Sequence, residues 1–231
     1  MDGDGFARDL QPTADGGVTN NYVDAAGATV QGAYDMVPMV DDFVAAHPDF
    51  AYHGHKGVLA LTGYNGVLGY RTSERKYGKD PGFADQQRRA RETADALKAE
   101  GWEFASHTWG HINTTKDPMS LLKADSKRWG TEVRPLLGDT DLLIFPFGAD
   151  VVTGGKPYGG PRYKHYRAEG FRYFFGVDAT TEAWQQRRGP YLRQARINVD
   201  GIRLKGNVKG SEKSLAPFFD SRAVMDPARP R

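Results

Sequence analysis

His107 and His111 are the residues whose type and spacing best support chemistry in this chain. They stand four apart in Phe104-Ala105-Ser106-His107-Thr108-Trp109-Gly110-His111, directly after an apolar run that reads as a strand. That spacing can set two imidazoles on one side of a helical turn, close enough to share one metal ion. A divalent ion held by two His and a carboxylate, with one position open to water, is a hydrolytic centre. The plainer alternative is that both rings only hydrogen-bond backbone at a strand end. This is not the His-Glu-x-x-His arrangement, because Thr108 follows His107, so any general base must come from elsewhere in the chain.

The elements that position the pair follow from hydrophobic periodicity. Residues 36–47 carry Met36, Val37, Val40, Phe43 and Val44 at helical spacing, and Pro48 stops them. Residues 57–62 form a compact apolar run bounded by glycines, the pattern of a buried strand. Residues 63–80 read as a long loop, and residues 84–100 as a polar helix with Ala90, Ala94 and Leu97 inward and Gly101 at its end. The strand of residues 102–106 delivers the His pair. A helix over 120–137 follows, with Leu121, Leu122, Ala124, Trp129 and Val133 on its apolar side. A strand over 142–145 ends in Pro146-Phe147-Gly148, a short helix spans 163–169, and a strand over 171–177 ends at Asp178. Residues 196–199 are a last strand candidate, and residues 1–32 read as turns with a small hairpin. Helices alternating with short buried strands predict an α/β fold with mainly parallel strands and its site at their C-terminal ends.

Composition narrows the class. The 231 residues suit a single domain over residues 1–231. Lys and Arg total 31 against 29 Asp and Glu, a net charge of +2 that gives no electrostatic footprint for nucleic acid. The absence of Cys excludes disulfides and thiolate metal sites. No apolar run approaches the roughly 20 residues of a membrane span. The opening Met1-Asp2-Gly3-Asp4-Gly5 is acidic and glycine-rich, so no signal peptide is expected in this chain.

Ser106-His107-Thr108-Trp109-Gly110-His111 resembles the His-[Ser/Thr]-x-x-His motif of the polysaccharide deacetylases, carbohydrate esterase family 4. Phe145-Pro146-Phe147-Gly148 falls one helix and one strand later, where that family has an Arg-Pro-Pro-Tyr-Gly-like motif. The order of these pieces covers residues 57–178, about half of the chain. Residues 57–72 and 196–201 look like a Gram-positive bacterial branch of the family. The resemblance implies an irregular (β/α) barrel with fewer strands than the regular eight. It implies Zn²⁺ or another divalent metal on His107, His111 and an Asp, and hydrolysis of N-acetyl groups on an amino-sugar polysaccharide. It also implies a backbone N–H, here that of Phe147, for the oxyanion, an Asp at the position of Asp178, and an extracellular or cell-envelope location. Tyr64, Trp109, Pro146 and Arg196 are the expected substrate contacts: aromatic faces for sugar rings, the strand-ending turn and a positive charge.

The chain also departs from that pattern. The family's first motif, a strand ending in two adjacent Asp that supply the base and the third ligand, has no counterpart. The chain opens in what looks like the loop after it, so the expectation is an N-terminally truncated domain lacking the first barrel strand, with a two-His half-site. Asp41-Asp42 is an adjacent pair but reads as the solvated face of a helix, and Asp2 and Asp4 read as a turn. Ile144 stands near the expected Arg, Phe147 replaces Tyr, Trp184 lies six residues after Asp178, and the late Leu-x-His motif is absent, His165 being the last His. Two other functions stay open: a catalytically dead carbohydrate-binding or structural module, and a deacetylase of a small-molecule amide.

Overall fold

The computed structural model describes residues 5–152, 156–177 and 184–225. Contacts gather into two compact units, Met1–Ile112 with Pro118–Asp141, and Asn113–Asp117 with Leu142–Arg231.

The first unit opens with an antiparallel meander, β1 (Gly5–Pro12), β2 (Val18–Asp24) and β3 (Thr29–Gly32), where turns and one hairpin were expected. Its turns use Gly16 and Gly27 at φ 92° and 84°, a left-handed region that glycine enters without steric cost. Buried Asn20 and Asn21 break the apolar alternation and hide β2 from a periodicity reading. Asn20 accepts the N–H groups of Tyr34 and Asp35, and its amide donates to Asp35, whose carboxylate caps α1 (Met36–Ala46).

Within α1, Asp42 is exposed as expected, whereas Asp41 is not part of a solvated face. Its side chain is 13% exposed and accepts from Lys56 Nζ at 2.6 Å and the Trp102 indole N–H at 2.9 Å. Lys56 also reaches Glu100 at 2.7 Å. One carboxylate thus ties α1 to the start of β4 (Gly57–Leu61) and of β5 (Trp102–Ser106). These two strands are parallel, from Gly57 opposite Trp102 to Leu61 opposite Ser106.

Between them run α2 (Glu74–Tyr77) and α3 (Phe83–Ala99), the latter burying Ala90, Ala94 and Leu97 as its spacing predicts. The loop after β4 is anchored rather than open. Val67, Leu68 and Tyr70 are buried, and the Tyr70 hydroxyl donates to the Leu10 carbonyl of β1. The helix expected over 120–137 is divided into α4 (Met119–Arg128), a π-turn over Trp129–Val133, and α5 (Arg134–Leu137). Pro135 has no N–H to donate within the helix, which favours a break in the regular ladder there. Leu121, expected inside, is 41% exposed, while Leu122, Trp129 and Val133 are buried.

The second unit holds β6 (Leu142–Ile144), α6 (Pro161–Ala168), β7 (Tyr173–Val177), β8 (Gln185–Arg188), β9 (Tyr191–Arg196), α7 (Gly201–Val208) and α8 (Ser221–Val224). Its strands lie in the order β6-β7-β9-β8, the first three parallel and β8 antiparallel to β9. The last strand comes earlier than expected: Arg196 ends β9 instead of starting a strand. Along β9 the buried positions are Tyr191, Arg193 and Ala195, so a buried Arg masks the alternation. Arg193 Nε donates to Asp150 at 2.6 Å, and Asp150 also accepts from the Tyr158 hydroxyl at 2.6 Å. Phe145, Phe174, Tyr158, Tyr163, Tyr166 and Tyr191 pack as an aromatic core around this pair.

The fold is therefore mixed α/β with mostly parallel strands in its βα portions, flanked by helices. Among the described residues neither unit closes its strands on themselves. No helix among them is long and apolar enough to cross a membrane.

Candidate metal centre

The His107 N–H donates to the Leu61 carbonyl at 2.8 Å, so the chain is still paired to β4 as it leaves β5. From there it does not enter a helix. Thr108 and His111 adopt φ of 59° and 55°, left-handed conformations that L-residues avoid and that prevent a regular helical turn. The two imidazoles converge across this irregular loop, not along a helix face. Such strained residues persist only where surrounding contacts over-determine them.

Those contacts are specific. Asp125, on α4, accepts the Trp109 N–H at 2.9 Å and the Gly110 N–H at 2.7 Å. The Thr108 hydroxyl accepts the Ile112 N–H at 3.0 Å. The Trp109 carbonyl in turn accepts the N–H groups of Gly63 at 2.8 Å and Tyr64 at 3.0 Å, which fastens the loop after β4 to the loop after β5. Gly63 is required by close approach: a Cβ there would stand 2.3 Å from the Trp109 ring and 2.6 Å from Val133. Burial raises the Asp125 carboxyl above its ordinary value, against the opposing pull of the Gly110 and Trp109 amides and Arg128.

His107 and His111 are both half-buried, with ring centres 4.9 Å apart and planes at 64°. Two imidazoles bound through nitrogen to one tetrahedral ion stand ~5 Å apart, centre to centre. The spacing of the pair therefore fits a shared ion. Among the described residues, no group of three or more His, Cys, Asp or Glu gathers closely enough to hold a metal. Among the described residues no third such side chain stands close enough to complete a site with the pair.

The other expected site residues divide between the units. Tyr64 is 41% exposed, its backbone joined to Trp109, with Lys76 Nζ 5.8 Å from its ring centre. Trp109 is 7% exposed, donates from its indole to Glu132 at 3.0 Å and lies under the Arg128 guanidinium at 4.7 Å. Its ring holds the loop from inside and leaves little face for a sugar.

The chain matches no protein-family model, no curated protein and no solved structure.

In the second unit, Pro146 is buried and Phe147 is 69% exposed at φ 58°, within the turn Pro146–Gly148 that ends β6. Gly148 packs so closely on β7 that a Cβ would meet Val177 at 2.6 Å. Arg196 Nη2 donates to the Phe145 carbonyl at 2.9 Å, which joins the end of β9 to this turn. Asp178 lies outside the described residues, as do Asp2 and Asp4. His165, expected on a helix surface, has a side chain only 10% exposed and stands 4.0 Å from Glu169. Asp125 is the residue that motif reading missed. Its signal was an acid on the buried stripe of a helix, in register with Leu122 and Trp129.

Proposed function

We propose that this protein is a metal-dependent amide hydrolase of the polysaccharide deacetylase kind, acting on N-acetylated amino sugars of cell-envelope or extracellular glycans. The observation that carries this reading is the His107–His111 pair, 4.9 Å apart at the C-terminal end of a parallel strand. The irregular (β/α) barrel of that family is the architecture that goes with it. His107 and His111 would hold the ion, together with a carboxylate from outside the described residues. A bound Zn²⁺ or similar ion lowers the pKa of its water and polarises the acetamide carbonyl.

The rest falls to the chain's own groups. Asp125, Thr108 and the Gly63–Trp109 contact fix the backbone of the loop that carries both rings. The half-exposed Tyr64 ring is the remaining platform for a sugar face.

The reading is tested by calorimetric titration of Zn²⁺ and Co²⁺ into the wild type, H107A and H111A, paired with acetate release from chitin oligomers, peptidoglycan and monomeric N-acetylglucosamine. Binding that either substitution abolishes, with acetate released from the polymers, supports it. Identical heats in all three proteins would refute the metal centre, and release from the monomer alone would move the substrate to small amides. The lack of a third ligand among the described residues favours a second reading, a carbohydrate-binding or structural module without catalysis. That reading predicts retention on chitin or peptidoglycan with no acetate released at any metal concentration.

A further inference from the structure

The second unit contains a cleft of about 510 Å³ at the C-terminal end of β9, lined by Gln194, Arg196, Asn198, Val199 and Phe218 among others. That volume lies within the range of small-molecule sites, ~300–1,000 Å³. Arg196 is its only charged lining residue among the described residues. The guanidinium spends Nη2 on the Phe145 carbonyl, while its Nε is buried with no hydrogen-bond partner among the described residues. No ion pair of Arg196 is formed among those residues either. Burial pulls this guanidinium below its ordinary value, the mark of a desolvated cation. A buried donor left without a partner is costly, and a planar guanidinium presents donors that match a carboxylate two at a time.

The surroundings indicate what else a ligand must carry. Gln194 and Asn198 offer amide donors and acceptors suited to hydroxyl groups. Phe218 and Val199 form an apolar rim, 59% and 62% exposed. Polar amides beside an exposed aromatic face suit a sugar ring with its flat C–H side. We propose that this cleft binds a carboxylated sugar, a uronate or a carboxyalkyl-substituted hexose, with its carboxylate on Arg196. The inference stands on the second unit alone and holds whether or not the His pair binds a metal.

The test is ¹H–¹⁵N NMR of the arginine Nε–H groups in the full chain without added metal, titrated with sodium glucuronate, glucose and inorganic phosphate. Glucuronate should move the Arg196 Nε–H resonance downfield saturably, and glucose should leave it in place. R196Q should weaken glucuronate binding at least tenfold, and R196K should recover only part of it because the planar fork is lost. The wild-type titration needs no variant, so the outcome is readable even if R196Q misfolds. Three results would overturn the proposal. The first is a resonance unmoved by saturating glucuronate. The second is equal response to phosphate and glucuronate, which assigns a general anion site. The third is an Nε–H already downfield without ligand, which means the chain fills the site itself.

Discussion

Replacing Asp125 tests the link between a buried carboxylate and the loop that carries the His pair. In the wild type its two oxygens accept the N–H groups of Trp109 and Gly110 at 2.9 and 2.7 Å, and the residue is only 4% exposed. D125A strands both donors. At about 1–3 kcal/mol for each buried unsatisfied group, the gross loss is about 2–6 kcal/mol. Relief of the desolvated carboxylate offsets part of that, so the expected net loss is about 2–4 kcal/mol. D125N keeps one acceptor but turns an NH₂ toward the other amide, and should lose about 1–3 kcal/mol. The pH dependence has a fixed sign. The folded carboxyl holds its proton more tightly than the unfolded one, so this residue favours the fold most below its ordinary value of 3.8 and loses that contribution as pH rises through the raised folded value. The D125N penalty should therefore be larger at pH 4 than at pH 7. Urea unfolding followed by tryptophan fluorescence, at both pH values, measures it, and Co²⁺ titration reads whether the His pair is disturbed as well. A D125A protein within about 0.5 kcal/mol of wild type would show that the two amide bonds do not hold this loop.

Other substitutions probe the same framework. G63A places a methyl 2.3 Å from the Trp109 ring, and the overpacking should cost about 1–3 kcal/mol or more in urea unfolding while shifting the His107 and His111 NMR signals. For Lys56, desolvation pulls the ammonium down, but hydrogen bonds and charge from Asp41 and Glu100 outweigh it and leave it raised. Its contribution to stability is thus complete below about pH 10.5 and is lost as pH rises through the folded value; K56M should be less stable at pH 8 and show a flatter alkaline limb in thermal melts. D150A removes the acceptor of Arg193 and Tyr158 in the second unit, leaves a desolvated guanidinium behind, and should lower stability by about 3–5 kcal/mol, read by near-ultraviolet circular dichroism during urea unfolding.

Periodicity located α1, α3, α6, the parallel pair β4–β5 and the strands β6 and β7, whose apolar residues recur with the period of their own backbone. In α1 only Val37 of the expected apolar face is buried, while Met36 and Phe43 stay exposed. Periodicity failed where polar side chains occupy buried positions. Asn20 and Asn21 in β2, Asp41 in α1, Asp125 in α4 and Arg193 in β9 all look like surface residues in one dimension. Their partners include Gln11 and Asp9 for Asn21, and Asp35, Lys56, the Trp109 and Gly110 amides and Asp150 for the others, between 10 and 43 positions away in the chain, and no local pattern marks them. The same limit applied to the aromatics. Tyr64 and Phe147 are open to solvent, whereas Trp109, Tyr70 and Tyr158 in equally loop-like stretches are buried.

By itself, the sequence determined that two imidazoles follow a buried strand four residues apart, and that strands and helices alternate around them. Those are properties of composition and spacing, which act locally. Tertiary structure decided that the pair meets across a strained loop and not on a helix, at 4.9 Å, because Asp125 from the next helix and Gly63 from the neighbouring strand end hold the backbone there. It also decided that the Arg196 Nε is buried with no hydrogen-bond partner among the described residues, beside a cleft that Arg196 helps to line. Hydrogen-bond partners and desolvation are set by distances in space, and spacing along the chain carries no record of them.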